Sequence, residues 1–451
     1  MDVKSMKTVN GRWRELTASL RGRMPERVLI VGLATVVGLV TGLAAFLLKR
    51  LVAWVSEPLT DGLHQWGCNP MLLALPVAGI VLTGIFQRYV LGREIYHGVD
   101  RLDKSISHRR YKLPFELTFS PLLASSITLG FGGSAGSEGP IAYAGAAIGS
   151  NLGRVFGVSP AMMRVMIACG ASAGIAGIFK APVGGALFSL EVLTVELSAM
   201  AVMSVVAASL TAGLTAYMLS GFRSDISFAG IEPMQGEWMP YVLLLGLFCG
   251  FYAAYYSHIM RFMTRWYGTL RNPWMKNLIA GAIIAAAVFL FPALYGEGYG
   301  FMAKVLGGEG DFGAYSLFAG DVGSVWTPIR IAAGILAVKA FATSSTNSGG
   351  GVAGDFAPTL FAGCIAGFLF ASALNEMAGV GLPVAEFAFF GMAAVMAGAI
   401  QAPLMAIFLT VEMAAGGYSL LLPVTAAAVV AYGVVRVLHV CFGREYHWTR
   451  S

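Results

Sequence analysis

Between Glu116 and Arg154 one side chain carries a charge, Glu138. It stands in residues 132–140, GGSAGSEGP, among glycine, alanine and serine. A carboxylate in such company can hold a proton, compete with an anion or attract a cation. At membrane depth it is costly and marks an ion pathway or a proton site. The plainer alternative is a glutamate at a water-exposed helix start, where acids are ordinary. A Gly-rich turn leading into a helix leaves several backbone N–H groups unpaired and pointing forward. They form the positive end of the helix dipole, which suits an anion. Residues 349–358, GGGVAGDFAP, offer a second turn of this kind. Pro140 and Pro358 fall where a first-turn proline is tolerated. Two such helix starts, meeting near a midplane, would bind an anion with little formal positive charge. That suits a permeating ion, which must bind and also leave.

The elements that position these turns are apolar. Of 451 residues, 57% are hydrophobic and 12% charged, against about 25% charged in soluble domains. Mean hydropathy is +0.72. A soluble enzyme cannot bury that much apolar side chain, and intrinsic disorder is excluded for the same reason. Fifty-seven glycines without a three-residue period exclude collagen and fit helices that pack closely or break within a bilayer. Net charge is only +6, too little for a nucleic-acid binder. Residues 1–27 hold seven basic side chains against three acids, which places the N-terminus in the cytoplasm. Arg436, Arg444 and Arg450 suggest the same for the C-terminus. Uncharged stretches at 28–48, 70–87, 117–137, 197–222, 278–296, 356–375, 387–411 and 413–435 read as spans. Those at 139–153 and 165–179 read as too short or too broken to span alone. The five cysteines are scattered, without metal-ligand spacing, and read as small buried hydrophobes.

The chain also repeats itself. Residues 180–192, KAPVGGALFSLEV, match 401–413, QAPLMAIFLTVEM, and in both Ala-Pro is followed nine residues after the proline by Glu191 or Glu412. Pro140 to Pro182 is 42 residues and Pro358 to Pro403 is 45. Matching marks at matching separations indicate duplication, common among transporters. Whether the copies are inverted is not legible at this level.

At these residues the sequence resembles the CLC family of chloride channels and proton/chloride exchangers. Gly136-Ser137-Glu138-Gly139-Pro140 is similar to the family's G-[KR]-E-G-P motif, with serine at the basic position. Gly354-Asp355-Phe356-Ala357-Pro358 is similar to its G-x-F-x-P motif, and the two Ala-Pro helices and the spacing of all four elements also match. The resemblance implies an all-α integral membrane protein, a duplicated inverted-repeat bundle with broken helices around a midplane anion site. It implies a cytoplasmic segment at 1–27, a transport domain at 28–446 with repeats at approximately 28–222 and 236–441, and a short cytoplasmic tail at 447–451. It implies a homodimer in lipid, in a bacterial inner membrane, that moves chloride or a similar small anion and needs no cofactor or metal.

Residue by residue, the resemblance makes Glu138 the gate and proton carrier. It makes Gly136, Ser137, Gly139, Asp355, Phe356 and Ala357 the lining of the anion path, with Tyr446 a pore-lining tyrosine. Three departures stand out. The family's G-S-G-I-P element is replaced by Tyr96-His97-Gly98-Val99-Asp100, which puts His97 where a serine would face the anion. Asp355 brings a carboxylate into the anion-binding turn, so either its side chain points away or its charge opposes anion entry. The internal proton-transfer glutamate of the exchangers falls on Val192, which cannot titrate, with Glu196 one turn along. Glu138 therefore allows loosely coupled proton/chloride exchange or a glutamate-gated passive channel. A cation-coupled transporter is a remote alternative, since helix N-termini favour anions. An intramembrane protease at residues 345–350, STNSGG, lacks a paired base.

Overall fold

The computed structural model describes residues 25–60, 69–95, 111–193, 198–222, 236–308, 324 and 326–441. Among them the chain is helical, with one isolated bridge between extended residues. The first nine helices in chain order are α1 (Glu26–Thr60), α2 (Met71–Ile85), α3 (Ser120–Gly130), α4 (Glu138–Val155), α5 (Pro160–Phe179), α6 (Pro182–Glu191), α7 (Ala199–Leu219), α8 (Met239–Thr269) and α9 (Pro273–Leu290). Then come α10 (Tyr299–Leu306), α11 (Trp326–Ser348), α12 (Phe356–Ala378), α13 (Val384–Ile400), α14 (Pro403–Met413) and α15 (Leu421–Cys441). Eight helical segments among the described residues are long and apolar enough to cross a membrane.

Two expected spans are corrected. The apolar run 117–137 holds a helix of only 11 residues, α3, after which the chain turns through Gly132 at φ 93°. The run 387–411 is cut at Gln401, whose left-handed φ of 62° ends α13 before Pro403 opens α14. Two long helices lie outside the expected set: α8, of 31 residues, and α11, of 23. Arg261 and Arg265 in α8, and Arg330 and Lys339 in α11, interrupt the apolar runs without interrupting the helices. The broken stretches at 139–153 and 165–179 lie within helices of 18 and 20 residues.

The described residues form two compact units, one from residues 25–46, 111–120, 141–193 and 198–222, the other from the rest. In the first, α4 and α5 cross with backbones nearly touching. A Cβ on Gly170 would lie 1.9 Å from the Gly145 carbonyl oxygen. In the second, α12 and α13 cross the same way, and a Cβ on Gly363 would lie 2.2 Å from the Gly391 carbonyl oxygen. Gly145 and Gly363 are 218 residues apart, Gly170 and Gly391 221 apart. The same three-residue difference separates the two proline spacings. Each crossing then ends alike: Lys180 and Gln401 are left-handed, at φ 54° and 62°, and an alanine leads to a proline at the start of the next short helix. A left-handed non-glycine residue costs about 1 kcal/mol, so its recurrence marks a turn that both copies need.

Candidate functional site

The site is built within the second unit, where the turn after α3 meets the turn after α11. The Gly136 N–H donates to the Gly354 carbonyl at 3.0 Å, and the Gly354 N–H to the Gly136 carbonyl at 2.6 Å. The supports are reciprocal as well. Val352 N–H donates to the Thr128 hydroxyl at 3.0 Å, and Ser134 N–H to the Thr346 hydroxyl at 3.1 Å. Each threonine hydroxyl in turn donates one helical turn back, to Ala124 and Ala342. Every pair is related by the same shift of 218 residues. Antiparallel pairing with exchanged partners requires a local two-fold axis, so the two turns are inverted copies. These bonds satisfy backbone groups in loops that water cannot reach.

Glu138 projects from this junction onto the start of α12. Its Oε1 accepts from the Phe356 N–H at 2.5 Å and the Ala357 N–H at 3.1 Å. The residue before them, Asp355, makes no side-chain cap bond, so these donors are open to an outside acceptor. The carboxylate thus sits where a helix N-terminus favours an anion. It is buried, and its Oε2 has no hydrogen-bond partner among the described residues. Two glycines make the space: a Cβ on Gly136 would lie 1.9 Å from Oε2, and one on Gly354 2.7 Å from Oε1.

The other residues singled out from sequence divide. Phe356 and Ala357 supply the two amides. Gly139 packs against the second turn, where a Cβ would lie 3.1 Å from the Gly354 Cα. Asp355 is held sideways: its Oδ1 accepts from the Asn347 side-chain amide, and its charge still lies within electrostatic reach of Glu138. Ser137 is engaged elsewhere, its N–H and hydroxyl donating to Glu297 Oε1 at 2.9 and 2.6 Å. Val192 is buried just after α6 in the first unit. His97, Glu196 and Tyr446 lie outside the described residues.

Three further residues join the site. Lys339 is fully buried on α11, where its ammonium donates to the Ser134 hydroxyl at 3.0 Å and lies 4.7 Å from the Phe361 ring centre. It is within electrostatic reach of Glu138. Lys339 could have been found by the criterion that found Glu138, since it is the one charge between Arg330 and Asp355. Glu297, in a Gly-rich loop, carries no such signal. Tyr256, on α8, buries its hydroxyl within electrostatic reach of both Asp355 and Glu138.

Inverted Gly-rich turns, broken helices and a buried carboxylate on a helix start define a membrane transport protein assembled from a duplicated unit. The sequence profile described as "Voltage gated chloride channel" matches residues 78–436, and the chain belongs to that family, as a multi-pass integral membrane protein. The H(+)/Cl(-) exchange transporter ClcA of Yersinia pseudotuberculosis is 26% identical over 431 residues, covering 92% of this chain and 86% of that one. The crystal structure of a slow cyanobacterial Cl-/H+ antiporter aligns with a TM-score of 0.74 at 23% identity, over 92% of this chain and 95% of the other. That of a CLC-type fluoride/proton antiporter aligns with a TM-score of 0.69 at 22% identity, over 91% and 96%.

Proposed function

We propose that the chain exchanges chloride, or a similar small anion, for protons across its membrane, with Glu138 as both gate and proton carrier. The observation that carries this reading is the Glu138 carboxylate lodged on the Phe356 and Ala357 amides. Ionised, Glu138 fills the position that an anion would occupy at the start of α12. Protonated, it loses the charge that holds it there, and an anion takes over the amides. Releasing the proton restores the competitor and expels the anion. Gly136 and Gly139 keep the path open, and Asp355, Phe356 and Ala357 present the backbone of the second turn. Ser137 contributes by anchoring Glu297 at the edge of the path. Lys339 offers one buried positive charge that either the carboxylate or the anion can balance.

Val192 leaves the position after Glu191 without a titrating side chain, so coupling is looser than one anion count per proton would require. That same observation favours the second reading, a passive channel gated by Glu138. The ClcA relative, named an exchange transporter, favours the first. The assignment extends to a domain at 28–446 with repeats at 28–222 and 236–441, flanked by cytoplasmic segments at 1–27 and 447–451 in a bacterial inner membrane. Exposed Met203, Leu210, Leu214 and Met218 on α7 suit lipid or a second subunit of a homodimer.

Proteoliposomes loaded with chloride, read for chloride efflux and external pH together, test the proposal. Protons moved against their gradient by chloride flux support exchange. Chloride efflux without proton movement refutes it in favour of the channel.

A further inference from the structure

Residues 295–299, YGEGY, place one carboxylate between two glycines. Both glycines are left-handed, Gly296 at φ 65° and Gly298 at φ 83°, so Glu297 is presented on a sharp turn. Glu297 is half-buried and lies within electrostatic reach of Glu138. Two acids so placed repel each other, so charge does not hold Glu297 there. Hydrogen bonds do. Its Oε1 accepts from the Ser137 N–H at 2.9 Å and from the Ser137 hydroxyl at 2.6 Å. A serine ahead of a helix ordinarily turns its oxygen to the first amides of that helix. Ser137, ahead of α4, gives both of its donors to Glu297.

The residues around Glu297 touch both halves of the site. The Tyr295 hydroxyl donates to the Gly130 carbonyl at 2.8 Å. The Tyr295 ring covers Gly132, where a Cβ would lie 2.5 Å from its Cε2. Gly130 and Gly132 belong to the turn that leads to Glu138. Gly298 lies instead against α12, where its Cβ would fall 2.5 Å from Cδ2 of Phe361. Phe301, on α10, packs on the same ring with centres 6.2 Å apart. Residues 295–301 thus join the turn from which Glu138 projects to the helix on whose start it rests. That relation decides how well the gate seats. The carboxylate is held on α12 by two hydrogen bonds, at 2.5 and 3.1 Å, and such bonds weaken steeply as their geometry degrades.

Building on the gate reading above, we propose that Glu297 is a positioning residue for Glu138: it binds Ser137 and so holds the backbone of the gate in register with the start of α12. The bridge between Gly136 and Gly354 fixes the residue two before the gate. Glu297 fixes the residue next to it. With both supports in place the ionised carboxylate meets the Phe356 and Ala357 amides squarely and competes strongly with an anion. With Ser137 released it meets them less well, and chloride takes the amides more readily. Where the resembling motif has a basic side chain, this chain uses a serine held by an acid 160 positions away.

The test is chloride calorimetry on the purified full chain, at neutral and at acid pH. Ser137→Ala removes one of the two bonds to Glu297. At neutral pH it is expected to tighten chloride binding about fivefold, the effect of one hydrogen bond to an ionised acceptor. Glu297→Ala removes both bonds and a charge, and is expected to tighten it by at least about tenfold. Ser137→Ala is the decisive variant. Glu297, Asp355, Lys339 and Tyr256 all lie within electrostatic reach of Glu138, and it leaves all four in place. Its effect is expected to vanish in three settings: at acid pH, where the protonated gate no longer competes; in Glu138→Gln, where the competitor is already weakened; and in Glu297→Ala, where the hydroxyl has lost its acceptor.

Ser137→Ala with the parent's affinity at neutral pH overturns the positioning role. If Glu138→Gln still tightens chloride binding, the gate reading stands without it. A change in Ser137→Ala that persists unaltered at acid pH, or in the Glu138→Gln background, shows a general loosening of the anion site and also overturns the role. If Glu297→Ala fails to fold, the comparisons of Ser137→Ala at two pH values and in Glu138→Gln decide alone. If Glu138→Gln itself binds chloride no more tightly than the parent, the competition falls and the positioning role falls with it.

Discussion

Replacing Glu138 by glutamine keeps the shape of the side chain and removes its charge, which makes it the sharpest perturbation of the site. Oε1 accepts two backbone N–H bonds, at 2.5 and 3.1 Å. A hydrogen bond to an ionised acceptor contributes about 2 kcal/mol and one to a neutral acceptor about 1 kcal/mol. Two such bonds weaken the side chain's hold on the α12 start by about 2 kcal/mol, or about thirtyfold in occupancy. Chloride competing for those amides should therefore bind about thirtyfold more tightly to Glu138→Gln, as read by calorimetry on the purified protein. Glu138→Ala removes the competitor altogether and should bind at least as tightly. The pH dependence follows with its sign. In the parent, a falling pH protonates the carboxylate, removes its charge and favours chloride, so anion binding and flux rise. In both variants nothing titrates at this position, and the profile should be flat. Proton movement in proteoliposomes should cease. A chloride affinity within about threefold of the parent, less than half of the free energy at stake, with the pH profile intact, would refute the competition.

Lys339→Met removes the buried ammonium and should weaken chloride binding by at least about tenfold in the same calorimetry, since truncating a buried charge is costly; an unchanged affinity would place Lys339 outside the anion's field. Glu297→Gln removes a negative charge beside Glu138 and should speed chloride efflux from proteoliposomes at neutral pH by a few-fold. Equal rates would make Glu297 a mere anchor for Ser137. Gly170→Ala inserts a methyl 1.9 Å from the Gly145 carbonyl oxygen and should cost about 1–3 kcal/mol or more. The expected sign is a lower unfolding temperature in detergent, and a variant that melts with the parent contradicts the close crossing.

What could be read from the sequence was whatever is local or repeated. Glu138 stood out because one charge in a long apolar stretch needs a reason. The two Gly-rich turns and the two Ala-Pro starts stood out because each occurs twice. The extents of the spans were less legible, and the cause is specific. Hydropathy records where side chains are apolar, while helices end where the backbone turns, at Gly132 or at left-handed Gln401. Lys339 and Arg261 mislead in the opposite sense, breaking an apolar run inside a continuous helix. The inversion of the repeats was hidden because it is carried by bonds such as Ser134 to Thr346 and Val352 to Thr128, which join residues more than two hundred positions apart. The engagement of Ser137 by Glu297 was hidden for the same reason, across 160 positions.

Charges of both signs gather around the junction. The serine at position 137 removes a basic side chain that the resembling motif would supply, and Asp355 and Glu297 add two carboxylates. Against three acids the site holds one buried ammonium among the described residues, Lys339. The added acids are each tied down: Asp355 accepts from Asn347, and Glu297 from both donors of Ser137. Within Glu138 the hydrogen bonds select the oxygen that takes the proton. Oε1 already accepts two N–H bonds, so a proton placed there would compete with both. Oε2 faces Gly136 with no partner among the described residues, and a proton there costs no existing bond. Protonation at Oε2 removes one of these negative charges and loosens the carboxylate's hold on the Phe356 and Ala357 amides, which an incoming anion then takes. Proton and anion are thus linked through one carboxylate, since the proton frees the amides that the anion needs.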